Sequence, residues 1–166
     1  MPRSPYHPGY QRLRSGRRSE PGRAYFITTV ARGREPLFAD FEPAARMSSL
    51  IASPSTWPAS QLLAWVLMPD HWHGLLAIDG SLPLSTIIQR AKGRSAHGFN
   101  LFFQRRGSVW RDGYHDRALR SDDDFRAAAR YLIANPLRAG LVKSVSDYPF
   151  WDAVWMDASM SSLVPD

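Results

Sequence analysis

The chain has 166 residues, 44% of them hydrophobic and 22% charged, and no cysteine. That size supports a single domain with its own core, and the absent cysteine excludes disulfide scaffolds, thiolate metal sites and cysteine nucleophiles. The formal charge of +6 hides an alternation: residues 1–34 carry +7, 35–89 −4, 90–143 +7 and 144–166 −4.

Residues 1–23 scatter proline and glycine among six Arg without any period and read as a basic arm. Tyr25 to Val30 is aromatic and β-branched, a predicted first strand. A helix is predicted from about Glu42 to Ala52, with Ala45, Met47, Leu50 and Ile51 as a loose apolar face. Leu62 to Leu67 and His71 to Ile78 predict two strands joined by Met68-Pro69-Asp70, an antiparallel hairpin. From Leu84 to Phe103 the apolar residues Ile87, Ile88, Ala91, Ala96, Phe99, Phe102 and Phe103 recur at helical steps, with Gly93 and Gly98 as weak points. Tyr114 to Arg120 reads as a short edge strand. Ser121 followed by three Asp is a strong helix start, with Phe125, Ala128, Ala129 and Leu132 as the buried stripe and Pro136 as the end or a kink. The order βαββαβα predicts an α+β fold with a ferredoxin-like antiparallel sheet and helices packed on it. The domain is drawn over 24–145, followed by an acidic tail over 146–166 whose Trp151 and Trp155 could pack on the core or shield the basic surface.

No apolar run reaches the about 20 residues of a membrane span, and the first thirty residues hold no signal-peptide core. The expectation is a soluble, cytoplasmic chain with no membrane partner. The two basic blocks predict a surface for a polyanion. Of the 21 bases, 19 are Arg, which suits forked phosphate contacts and stacking on bases, although a GC-rich genome explains that bias equally well.

His71-Trp72-His73 carries the most chemistry. Alternation along a strand puts His71, His73, Leu75 and Ala77 on one face, and Trp72, Leu76 and Ile78 on the other. Two neighbouring imidazoles can ligate one divalent metal ion, although an isolated His-x-His is more often a coincidence or a hydrogen-bonded pair. A third ligand must come from another element, because Asp70 at the turn should point elsewhere. On the Ser121 helix, Tyr131 and Asn135 are neighbours at i,i+4 on the edge of the apolar stripe. A tyrosine beside a metal that polarises a phosphate can act as a nucleophile, and the amide can ligate the ion. Equally, Tyr131 is an ordinary rim tyrosine and Asn135 before Pro136 an N-cap for a following turn.

Met68-Pro69-Asp70-His71-Trp72-His73-Gly74, then Tyr114-His115-Asp116, then the run from Tyr131 to Val142 resemble the REP-associated tyrosine transposases. These are bacterial single-tyrosine members of the HUH nucleases, and the likeness runs from about Tyr25 to Phe150. The resemblance implies His71, His73 and Asn135 as metal ligands, magnesium or manganese as the ion, and Tyr131 as the nucleophile. It also implies phosphoryl transfer on single-stranded, hairpin-forming repeated extragenic palindromes, through a 5′-phosphotyrosine link and a freed 3′-hydroxyl. The setting would be the bacterial cytoplasm at the nucleoid, with the protein a monomer or homodimer.

A phenol has an ordinary pKa near 10, so it must lose its proton during attack or be pre-ionised by nearby positive charge, for which Arg130, Arg138 and the metal are the candidates. Single-stranded DNA wants aromatic platforms among bases. Trp110, Tyr114 and His115 lie among Arg105, Arg106, Arg111, Arg117 and Arg120, and Arg90, Lys92 and Arg94 line the polar side of the preceding helix; either aromatic could instead be ordinary sheet packing. Two other functions compete: a chemically idle DNA-binding descendant, and a small-phosphoester hydrolase in which Tyr131 is structural.

Overall fold

Met68, Pro69 and Asp70 turn the chain between β2 (Ser60–Leu67) and β3 (His71–Ile78), and the Met68 N–H donates to the His71 carbonyl at 2.8 Å. In the computed structural model, which describes residues 23–155, this hairpin sits at the centre of a five-stranded antiparallel sheet. β1 (Ala24–Val30) pairs with β3, β4 (His115–Ala118) with the far side of β1, and β5 (Trp151–Ala153) with the far side of β2. The order is β4-β1-β3-β2-β5, and its first four members are the ferredoxin-like arrangement expected from the sequence.

The period of two along each strand decides what packs where. Ile27, Trp65, Leu67, Trp72, Leu76 and Ile78 face α1 (Phe41–Ala52) and α2 (Leu84–Phe102), which cover one side of the sheet. Ala64, Val66 and Leu75 face α3 (Asp122–Arg138) on the other. Trp72 is 2% exposed and stacks on Trp57 with ring centroids 5.2 Å apart. Its ring lies across Gly74, where an added Cβ would fall 2.2 Å from the indole. Gly98 is a close-approach residue, since a Cβ there would meet Leu50 of α1 at 2.6 Å. Phe102 departs from the expected apolar face: it is more than half exposed, with the Arg46 guanidinium 4.7 Å from its ring centre.

Helix α3 starts as the sequence predicts, with the Ser121 hydroxyl accepting the Asp124 N–H at 3.1 Å and Phe125, Ala128, Ala129 and Leu132 buried. Its end is different. Pro136 neither ends nor breaks the helix, which runs on to Arg138. The missing N–H forfeits one bond close to the terminus, where the penalty is least. The stop is supplied by Gly140, at φ +71°, with the Gly140 N–H on the Leu137 carbonyl and the Leu141 N–H on that of Pro136. Asn135 is therefore inside a helix and caps nothing.

The boundary drawn at 145 cuts off part of the domain. Beyond it the Tyr148 hydroxyl donates to the Leu67 carbonyl at 2.5 Å, and β5 completes the sheet against β2. Burial pushes the Tyr148 phenol up to about 12. The basic arm as far as residue 22 and the chain beyond residue 155 lie outside the described residues. Among those residues, no helix is long and apolar enough to cross a membrane.

Candidate active site

His71 and His73 project together from β3, ring centroids 4.7 Å apart and planes at 75°. Each imidazole is held from behind. His73 Nδ1 lies 2.7 Å from the Thr28 hydroxyl on β1, and His71 Nδ1 lies 2.6 Å from Asp70 Oδ1, whose other oxygen is 3.5 Å from Arg34. Asp70 thus does not point elsewhere. At the turn the strand alternation has not begun, so its carboxylate curls back onto the neighbouring ring. With both Nδ1 atoms engaged, Nε2 is the nitrogen each ring offers to a cation. His73 is 9% exposed, and burial, then the nearby His71, pushes its pKa down to about 3. It is neutral near pH 7, as a metal ligand must be.

Tyr131 stands across from this pair. Its ring is 6.3 Å from that of His73 and 6.0 Å from Phe26, which is itself 5.3 Å from His73. The phenol side chain is 44% exposed, and the Arg138 guanidinium lies 4.5 Å from its ring centre. One turn on, the Asn135 side-chain nitrogen is buried without a hydrogen-bond partner. Amide N and O exchange by a half-turn, so that orphaned position can equally hold the oxygen. Among the described residues no cluster of three or more His, Asp or Glu forms, so no carboxylate competes for the third place. Two imidazoles offering Nε2 and an amide with one buried, unsatisfied atom fit a divalent ion.

The sequence signature described as transposase IS200-like matches residues 22–134, more than half of the chain. The chain belongs to that family. The IS200-like chain is 30% identical over 91 residues to the REP-associated tyrosine transposase of Escherichia coli K12, an alignment covering 54% of it and 52% of the relative. It thus spans about half the length of that curated relative. Its fold matches that of a REP-associated tyrosine transposase solved bound to a REP hairpin, with TM-score 0.65, 23% identity, and 91% and 87% of the two chains covered. It also matches the crystal structure of a candidate transposase from Deinococcus radiodurans R1, with TM-score 0.53, 21% identity, and 73% and 96% covered.

Within this IS200-like fold the predicted DNA-contacting residues separate. Trp110 is 6% exposed in the core, and its indole N–H donates to the Ser95 hydroxyl at 3.0 Å, so it cannot serve as a base platform. Tyr114 packs with the α1–α2 side, away from Tyr131. Lys92 donates to the Arg111 and Gly113 carbonyls at 2.6 Å each; burial lowers its pKa, and its role is to hold the loop before β4. Arg94 donates to the Ser55 carbonyl, and Arg105 to Asn100 Oδ1 at 3.2 Å, beside Glu35 at 3.9 Å. Arg90, Arg106 and Arg120 are exposed. Arg130, a helical step of one residue from Tyr131, is exposed on the outward side of α3, whereas Arg138 shares the Tyr131 flank. Arg111, His115 and Arg117 are exposed too, with Arg111 Nη2 3.5 Å from His115 Nε2. Thr28 and Phe26 lie in the predicted first strand with nothing local to mark a role at the site, and Gly74 stands in the His-x-His motif without an assigned role. Only Gly74 had a local signal, a glycine inside a strand pattern.

Proposed function

We propose that this chain is a metal-dependent single-stranded DNA endonuclease and strand transferase acting on hairpins of repeated extragenic palindromes. The observation that carries the reading is the placement of the Tyr131 ring 6.3 Å from His73, with Arg138 on its flank. In this reading His71 and His73, through Nε2, and Asn135, through its amide oxygen, hold magnesium or manganese. The ion, when bound, withdraws charge from the scissile phosphate.

The chain's own residues supply the rest. Thr28 and Asp70 keep both imidazoles turned so that Nε2 faces the site. The Tyr131 oxygen attacks phosphorus, a tyrosine–phosphate bond forms, the P–O3′ bond breaks, and the freed strand leaves with a 3′-hydroxyl. The phenol proton departs as the new bond forms, and Arg138 places positive charge beside the phosphoryl group in transit. Because the covalent link keeps the phosphodiester energy, a second strand's 3′-hydroxyl can reverse the step without ATP. The relatives' hairpin complex and the basic surface favour hairpin DNA as the substrate, and the cytoplasm, at the nucleoid, as the setting.

Incubating the protein with single-stranded hairpins from its own genomic flanks and Mn²⁺ should yield a covalent protein–DNA adduct that survives denaturant. Tyr131→Phe should abolish it while leaving the fold intact, since the ring is nearly half exposed. An adduct that persists in that variant overturns the assignment of the nucleophile. Salt-sensitive hairpin binding with no adduct in any metal would make the chain a binding module instead.

A further inference from the structure

Residues 31–38 wrap the turn that leads into the histidine pair. The Ala31 N–H donates to the Asp70 carbonyl at 2.8 Å and the Phe38 N–H to the Pro69 carbonyl at 2.9 Å. Both ends of the stretch are fixed, since Ala31 and Phe38 are buried. Between them Gly33 and Arg34 stand at φ +64° and +53°, and the Arg34 N–H closes back on the Ala31 carbonyl at 2.9 Å. Glycine takes that left-handed region freely, but for arginine it is uncommon and unfavourable. Arg34 therefore holds its place against its own backbone preference.

Its guanidinium meets one carboxylate. Arg34 Nη1 is 3.5 Å from Asp70 Oδ2, whereas the adjacent Glu35 turns to Arg105, at 3.9 Å. The Arg34 side chain is 65% exposed, and a pair so open to water adds little to stability. Stability does not account for the arrangement. The other oxygen of the same carboxylate, Asp70 Oδ1, is 2.6 Å from His71 Nδ1.

We infer that Arg34 is a positioning residue for the candidate metal centre: it holds the Asp70 carboxylate on His71 Nδ1 and so selects the ring tautomer whose Nε2 lone pair is free. This assignment rests on the proposed metal-dependent reading and extends it one contact beyond the ligands and their direct partners. A carboxylate only accepts hydrogen bonds, so the neutral His71 ring must carry its hydrogen on Nδ1, and Nε2 is left bare. The Thr28 hydroxyl behind His73 can donate or accept, so it imposes no tautomer by itself. Asp70 is partly exposed at its turn, and with no second partner its carboxylate can rotate toward water and release Nδ1. Arg34 removes that freedom by engaging the other oxygen.

Simple charge gives the opposite expectation. A guanidinium close to a cation site repels the ion, so an Arg34 that acted through space would weaken metal binding, and its removal would strengthen it. An Arg34 that acts through Asp70 gives the reverse sign.

Two measurements on the full chain test the role. In the metal-free protein at about pH 8.5, the nitrogen NMR shifts of the His71 ring report its tautomer without any metal or DNA. The wild type should show hydrogen on Nδ1, and Arg34→Gln a mixture of both tautomers. Mn²⁺ affinity, read by electron paramagnetic resonance, should fall about tenfold in Asp70→Ala and about threefold in Arg34→Gln. Adding Arg34→Gln to Asp70→Ala should change nothing further, because the group through which it acts is gone. An unchanged tautomer in Arg34→Gln, tighter Mn²⁺ binding, or the same threefold loss in the Asp70→Ala background would overturn the assignment. Absence of Mn²⁺ binding in the wild type would fail the metal reading itself, whereas the tautomer measurement still decides whether Arg34 acts on His71.

Discussion

The two faces of the sheet are built from the same five strands yet have opposite characters. The side under α1 and α2 is sealed: Trp57 stacks on Trp72, Trp110 is tied to Ser95, and Phe38 is wedged between Phe99 and Trp110 at 5.6 and 5.4 Å. The side under α3 is half-closed. One helix covers β2 and β3, and the polar groups that remain, His73 with Thr28 and His71 with Asp70, are paired through Nδ1, which leaves Nε2 of each ring unused by those bonds. Two crossover helices suffice to bury one face, whereas a single diagonal helix must leave part of the other bare. The rigid side makes the open side accurate, because the strand bearing both histidines is clamped through Trp72.

Three measurements would break or sharpen this contrast. The largest effect is expected from pH in the metal-free protein. His73 has a folded pKa of about 3 against an ordinary value of 6.5, so the unfolded chain takes up the proton first. Its contribution is therefore flat above about pH 6.5, and stability falls as pH drops from there toward 3. The loss should reach on the order of 4 kcal/mol at the acid end. His73→Gln should flatten that limb of a urea-unfolding series against pH; an unchanged limb would show that burial on the open face is shallower than described.

On the sealed face, Gly74→Ala should cost about 3 kcal/mol in the same assay, because the new methyl group cannot displace an indole held by Trp57. A near-neutral result would mean that the clamp is loose. Smallest is Thr28→Val, which removes the hydroxyl that fixes the His73 ring without changing its volume. Mn²⁺ affinity, followed by electron paramagnetic resonance, should fall about tenfold with the unfolding midpoint shifted little. Unchanged affinity would make that hydrogen bond incidental to the site.

Much of this architecture was legible in the residues. The hairpin followed from two β-rich runs around Met68-Pro69-Asp70, and the sharing of one face by His71, His73, Leu75 and Ala77 from alternation alone. The Ser121 start of α3 followed from capping chemistry. The errors have a common source. Nothing local says that Lys92 will anchor the loop carbonyls of Arg111 and Gly113, or that Trp110 will pack against Ser95, since these contacts span fifteen residues or more. Pro136 does not end α3, because its penalty depends on its distance from the helix end, which Gly140 sets. β5 was missed because three residues are too few to show a period.

By itself, then, the sequence determined which residues share a face, because side-chain direction in strands and helices repeats with fixed periods of two and 3.6. Which faces are covered, and what stands opposite the histidines, was decided only by tertiary structure. Register places Thr28 behind His73, and the diagonal of α3 brings Tyr131 over Phe26. Both depend on long-range packing energies that no local window of residues contains.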